Sequence, residues 1–170
     1  IPLVYAGTEQ AFRQLHGRLD PEGGDLPADP DNRADQFAGA FQPSVPTPGD
    51  AYDQEAPGYR FMRALADLRK AYPALRRGEQ YARWSDPNGA GIYAFSRIHD
   101  GQEVVVVMNT AAESRSAEMW VDAGITPAGT ALEDALSPAY RLDARGAGGG
   151  SKVSVAVPPY GVRVLVRSSR

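Results

Sequence analysis

Hydrophobic and polar positions follow three different patterns along the chain. Residues 1–7, IPLVYAG, are apolar at almost every position, as in a strand covered on both faces. Residues 13–56 show little periodicity and are rich in Asp, Pro, Gly and Gln. That stretch is far longer than an ordinary connection of about 4–6 residues. It predicts an irregular loop held against some surface, with short helical turns near 32–40. Residues 57–72, PGYRFMRALADLRKAY, carry a helical stripe of Phe61, Leu65, Leu68 and Tyr72, with Met62 beside it and Arg60, Arg63, Asp67 and Arg69 on other faces. Pro57 suits a first helical turn and Pro73 ends the helix. The stripe is expected to pack in a core.

From residue 79 the period changes to two. Strands are predicted at 80–84, 91–97, 103–109, 116–121, 152–157 and 161–167, with a shorter one around 130–135. Asp100-Gly101 lies between the second and third and marks a hairpin. GAGGGS at 146–151 reads as a flexible, exposed loop tip. Short strands with turns between them, and no crossover helices, indicate an antiparallel sandwich. One strand and one helix cannot cover both faces of a buried strand, so residues 1–76 are expected to need partners outside this chain. Ile1 accordingly reads as a break within a domain. Expressed alone, residues 79–167 should fold and residues 1–76 should be poorly ordered.

Composition narrows the chemistry. A hydrophobic share of 42% supports a real core, and a net charge of −3 gives no sign of a nucleic-acid partner. The absence of cysteine removes disulfides, thiol nucleophiles and Cys-ligated metal. No apolar run reaches the roughly 18 residues of a membrane-spanning helix. Neither a phosphate loop, nor zinc spacing, nor a nucleophile elbow is present.

Several segments in order resemble one family. IPLVYAGTEQAF is similar to the last barrel strand of the alpha-amylase family of glycoside hydrolases. DPDNRADQF resembles the stretch after that strand, and FMRALADLRKAYPALRRG the final barrel helix and its exit. GIYAFSR with EVVVVMN, and later VPPYGVRVLV, resemble the first hairpin and last strand of the small β-domain that follows the barrel. The resemblance implies an α/β plus all-β architecture: the C-terminal remnant of a TIM (β/α)8 barrel (last strand, long loop, last helix) over residues 1–76, then an antiparallel β-sandwich over residues 77–170. It also implies a complete enzyme that hydrolyses or transfers alpha-glucosidic linkages by a retaining mechanism. Its substrate would be an alpha-glucan or oligosaccharide, and its partner the missing N-terminal part of the barrel.

Such a mechanism needs two carboxylates about 5–5.5 Å apart. In the resembled family these, and a third essential Asp, lie on earlier strands. No catalytic residue is therefore assigned here, and the chain alone is expected to be inactive. Four residues are candidates for the substrate cleft or its support. Glu9, just past the strand end, either orients neighbouring loops and catalytic groups or anchors a loop through backbone N–H groups. Asn32 and Arg33 lie in the loop expected to border the cleft; Arg33 either clamps sugar hydroxyls or forms a structural salt bridge. His16, in the same loop, is a candidate subsite residue. Asp29 and Asp31 offer hard oxygens, but DPDNRADQF lacks the pattern of a dedicated calcium loop, so no metal or cofactor is assigned, and calcium is left to the complete enzyme.

Two rival readings remain. One is a carbohydrate-binding module using Trp84 or Trp120, which alternation places in the core; exposure of these rings would favour it. The other is a non-catalytic interaction protein with a degenerate barrel.

Overall fold

The computed structural model describes residues 53–168. The predicted strand at 1–7 and the long loop lie outside them. The chain divides into two compact units, residues 1–65 and residues 66–170.

Helix α1 runs Pro57–Ala71. It is entered through a turn in which the Ala56 N–H donates to the Asp53 carbonyl at 3.2 Å and the Glu55 N–H to Asp53 Oδ1 at 2.8 Å. Arg60 pairs with Glu55 across this first turn. The helix forms where the stripe predicts it, yet none of its residues is buried, and Phe61 is 47% exposed. At the other end Pro73 has no N–H to continue the ladder, and a second short helix α2, Ala74–Arg77, follows. Two side-chain bonds hold the corner: Arg69 Nη1 donates to the Leu75 carbonyl at 2.8 Å, and Gln102 Oε1 accepts the Ala74 N–H at 3.0 Å.

Nine strands follow in two antiparallel sheets. They are β1 (Glu79–Ser85), β2 (Ile92–His99), β3 (Gln102–Asn109), β4 (Arg115–Val121), β5 (Ala131–Asp134), β6 (Ser137–Asp143), β7 (Arg145–Ala147), β8 (Gly150–Val157) and β9 (Val162–Arg167). The larger sheet has the order β1-β2-β3-β9-β5-β6, the smaller β4-β8-β7. All strand pairs are antiparallel. The hairpin between β2 and β3 turns at Asp100-Gly101, both with positive φ (46° and 71°). That is the geometry a two-residue hairpin asks for.

The main core lies between the sheets. Ile92, Ala94, Val105, Val107 and Leu165 of the larger sheet meet Ala117, Met119, Val121, Val153, Val155 and Val157 of the smaller. A second cluster covers the other face of the larger sheet, where Val104, Val106, Val164 and Val166 pack with Ala74 and, more loosely, Leu68, Tyr72 and Leu75. The continuous apolar run 104–107 is thus explained: β3 is covered on both faces and every residue from Glu103 to Val107 is buried.

Two expectations change. The stretch predicted as a flexible glycine tip at 146–151 is a tight hairpin, with β7 and β8 joined at Gly148-Gly149 (φ 48° and 83°). Strand β6 is a further addition. Both β6 and β7 are largely exposed edge strands: β6 offers only the short alternation of Tyr140 and Leu142, which pack on the main core, and β7 has three residues.

Candidate functional site

The four cleft candidates, Glu9, His16, Asn32 and Arg33, lie outside the described residues, as do Asp29 and Asp31. Among the described residues no group of three or more His, Cys, Asp or Glu side chains gathers to hold a metal ion. No helix of the described residues is long and apolar enough to cross a membrane. His99, at the end of β2, is partly covered and places Nε2 3.2 Å from Asp100 Oδ2.

Polar chemistry in the sandwich concentrates around Glu103, whose side chain is 0% exposed. Oε1 accepts from Arg83 Nη2 at 2.9 Å, Ser96 Oγ at 2.6 Å and, more weakly, the Asp122 N–H at 3.2 Å. Oε2 accepts from Thr126 Oγ1 at 2.7 Å and the Asp122 N–H at 3.1 Å. Arg83 Nε also donates to Ser96 Oγ at 2.8 Å. A desolvated carboxylate survives only with partners of this kind. The network ties β1, β2 and β3 to the segment after β4. It borders a cleft of about 220 Å³ that is also lined by Tyr72, Gln102, Ile125 and Arg167. Both Glu103 oxygens are already engaged, so the cluster reads as a structural clamp.

A second clamp joins the sheets at Asp134. Oδ2 accepts from Arg163 Nη1 at 3.0 Å and Oδ1 from the Val164 N–H at 3.0 Å. The Arg163 guanidinium lies 3.5 Å from the Tyr140 ring centroid, and its Nε donates to the Ala156 carbonyl of β8.

The tryptophans are where structure and expectation part. Alternation places Trp84 and Trp120 in the core, yet they are 39% and 46% exposed. Trp120 points outward from β4, whose alternate residues Ala117, Met119 and Val121 fill the core. Its ring covers a glycine: a Cβ added to Gly150 would lie 2.8 Å from Trp120 Cζ3. Lys152 sets Nζ 4.6 Å from the ring centroid while bonding Glu118 Oε1 at 2.7 Å. Trp120 is therefore committed to neighbours within its own sheet.

Trp84 differs. It lies on β1, the edge of the larger sheet, next to a shift in register between Ala82 and Trp84. Tyr81 pairs with Ser96, and Trp84 with Ala94. Ser96 and Ala94 are two apart on β2, so they share a face, and so do their partners. Without the shift, positions three apart would point to opposite faces. The extra residue is Arg83, which the Glu103 clamp holds. Tyr81 is 43% exposed. Its hydroxyl donates to Glu79 Oε2 at 2.7 Å. That bond, with the Glu79 charge and more weakly that of Asp122, pushes the Tyr81 phenol above its usual range. The Trp84 indole N–H has no acceptor among the described residues. Tyr81 is the residue that sequence reasoning missed, because a bulge leaves no signature in an alternating pattern.

Comparison with known proteins supplies the context. No protein-family model matches the chain. An alpha-amylase of Streptomyces lividans is 38% identical over 173 residues, covering 99% of this chain and 18% of the relative. A beta/alpha-amylase of Paenibacillus polymyxa is 27% identical over 116 residues, covering 68% of this chain and 7% of the relative. The chain thus spans less than a fifth of these curated relatives. Among solved structures, CldA, a cyclomaltodextrin glucanotransferase with a three-domain ABC distribution, superposes with a TM-score of 0.67 over 98% of this chain and 29% of its own length, at 24% identity. An alpha-amylase of Anoxybacillus superposes with a TM-score of 0.52 over 68% of the chain, at 19% identity. These two likenesses concern the fold alone. The alignment to the Streptomyces enzyme takes in 99% of this chain at 38% identity, and the chain belongs to the alpha-amylase family.

Proposed function

We propose that this chain is the C-terminal part of an alpha-amylase-like enzyme that hydrolyses or transfers alpha-glucosidic linkages by a retaining mechanism. The catalytic carboxylates lie outside the chain. Residues 1–76 form the end of the (β/α)8 catalytic barrel, and residues 77–170 the β-sandwich that follows it. The observation that carries this reading is the alignment of 99% of the chain to 18% of a longer alpha-amylase. Helix α1 adds physical support. Its stripe of Phe61, Leu65 and Leu68 is built as a packing face, yet no residue of the helix is buried, as fits a barrel helix without the rest of its barrel.

In this reading the chain closes the barrel and shapes one wall of the cleft. Glu9, His16, Asn32 and Arg33 stand near the substrate, an alpha-glucan or oligosaccharide. A calcium requirement would belong to the complete enzyme. The test joins the chain to the preceding sequence. The longer enzyme should release reducing sugar from maltoheptaose with retention of anomeric configuration, followed by NMR during the first turnovers, whereas the 170-residue chain should release none. Inverted products, or hydrolysis by the chain alone, would sink the proposal.

A further inference from the structure

We infer that Tyr81 and Trp84 form a binding strip for an alpha-glucan chain on the open edge of the β-sandwich. The ligand class rests on the functional reading above; the strip itself rests on geometry. The larger sheet has six strands and the smaller three. Strand β1 is the edge of the larger sheet, and β4, the edge of the smaller, is the strand that approaches it. Side chains on this face of β1 start inward, beside Ser96 and Ala94, but remain well exposed at the rim. The register shift brings both rings to this one face. Their partners on β2 are two residues apart, which sets the points where the two side chains leave the strand roughly 7 Å apart.

Bulges re-aim side chains next to functional sites, at a cost in ladder hydrogen bonds. This one is held firmly. Arg83, between the rings, is fixed by the buried Glu103 and Ser96, and its guanidinium stands 5.7 Å from the Tyr81 ring centroid. The strip is therefore preorganised, which lowers the cost of binding.

The chemistry suits a sugar. The C–H face of a pyranose is apolar and slightly positive, and it stacks on the negative face of an aromatic ring. Its hydroxyls then need donors and acceptors around the ring. The Trp84 indole N–H is unspent among the described residues, and the Glu79 carboxylate stands beside Tyr81. Trp120, equally exposed, is the poorer platform: Lys152 stands over its ring at 4.6 Å and Gly150 lies against it, whereas Tyr81 has only the more distant Arg83 guanidinium, at 5.7 Å, over its ring.

Affinity electrophoresis of the 170-residue chain in native gels containing amylopectin tests the strip. The chain should be retarded. Trp84→Ala and Tyr81→Ser should each weaken binding by about tenfold. Trp84→Phe should keep most of the retardation, and Trp120→Leu should keep all of it. Circular dichroism of each variant checks that the strands remain, and the Phe variant separates loss of a ring from loss of fold. Three results would overturn the inference: no retardation of the parent chain, equal retardation by hydroxyethylcellulose (a β-linked glucan), or loss with Trp120→Leu but not with Trp84→Ala. The assay reads no catalysis. An inactive longer enzyme would sink the functional reading and leave this measurement intact, and an unretarded chain beside an active longer enzyme would sink the strip alone.

Discussion

Helix α1 carries an apolar stripe and strand β3 an unbroken apolar run, and they are buried to different degrees. Every residue of β3 from Glu103 to Val107 is buried, whereas no residue of α1 is. The difference is in what surrounds them. β3 is central in its sheet, with the smaller sheet on one face and α2 with the adjoining Leu68 and Tyr72 on the other. The α1 stripe is covered only at its C-terminal end, where Leu68 meets the second cluster, and Phe61 stays 47% exposed. An apolar pattern specifies a face that should be covered, and the cover must come from elsewhere in the fold or assembly.

This contrast can be broken by mutation, with the largest effects expected in the sheet. Arg83→Met leaves the fully desolvated Glu103 without its cation. It should destabilise the chain by about 3–5 kcal/mol, read from urea unfolding. A loss near that of a surface ion pair would show that the clamp is not buried as described. Leu165→Ala removes a fully buried side chain from the main core and should cost about 2–5 kcal/mol in the same assay. Gly150→Ala places a methyl group 2.8 Å from Trp120 Cζ3. Here the ring must move, at a cost of about 1–3 kcal/mol. An increase in Trp fluorescence quenching should accompany that loss, and an unchanged melt would show that the ring is free to swing away. Smallest of all, Phe61→Ser in the exposed stripe of α1 should change the stability of this chain by no more than about 0.5 kcal/mol. In a longer enzyme that buries the stripe, the same substitution should cost several times more. Equal effects in the two settings would remove the distinction between α1 and β3.

Much of the fold was legible because local rules agreed with tertiary ones. Pro73 had to end α1, and Asp100-Gly101 could take the positive φ angles of a tight hairpin. Alternation located β4 and β8 because one face of each is core and the other is solvent. Legibility failed where an element is neither half buried nor fully buried. β7 is held by backbone pairing at a sheet edge, and β6 adds to its pairing only Tyr140 and Leu142 against the core, too short an alternation to stand out. The glycines at 146–151 suggested a loose tip, yet Trp120 packs over Gly150 and lets that segment continue as strand.

Of the candidate site, the sequence by itself determined which residues carry aromatic and charged groups, and their order along a family-like chain. It also determined period-two strands and hence two-faced sheets. Tertiary structure alone decided which aromatics meet solvent. Trp84 is exposed at the rim of the edge strand β1, and it shares a face with Tyr81 because one extra residue, Arg83, is inserted between them. Arg83 is drawn inward by Glu103, which lies 20 positions away along the chain. No local pattern encodes that pairing, since the attraction and hydrogen bonds that offset the desolvation of the two charges arise only once the sheet has formed.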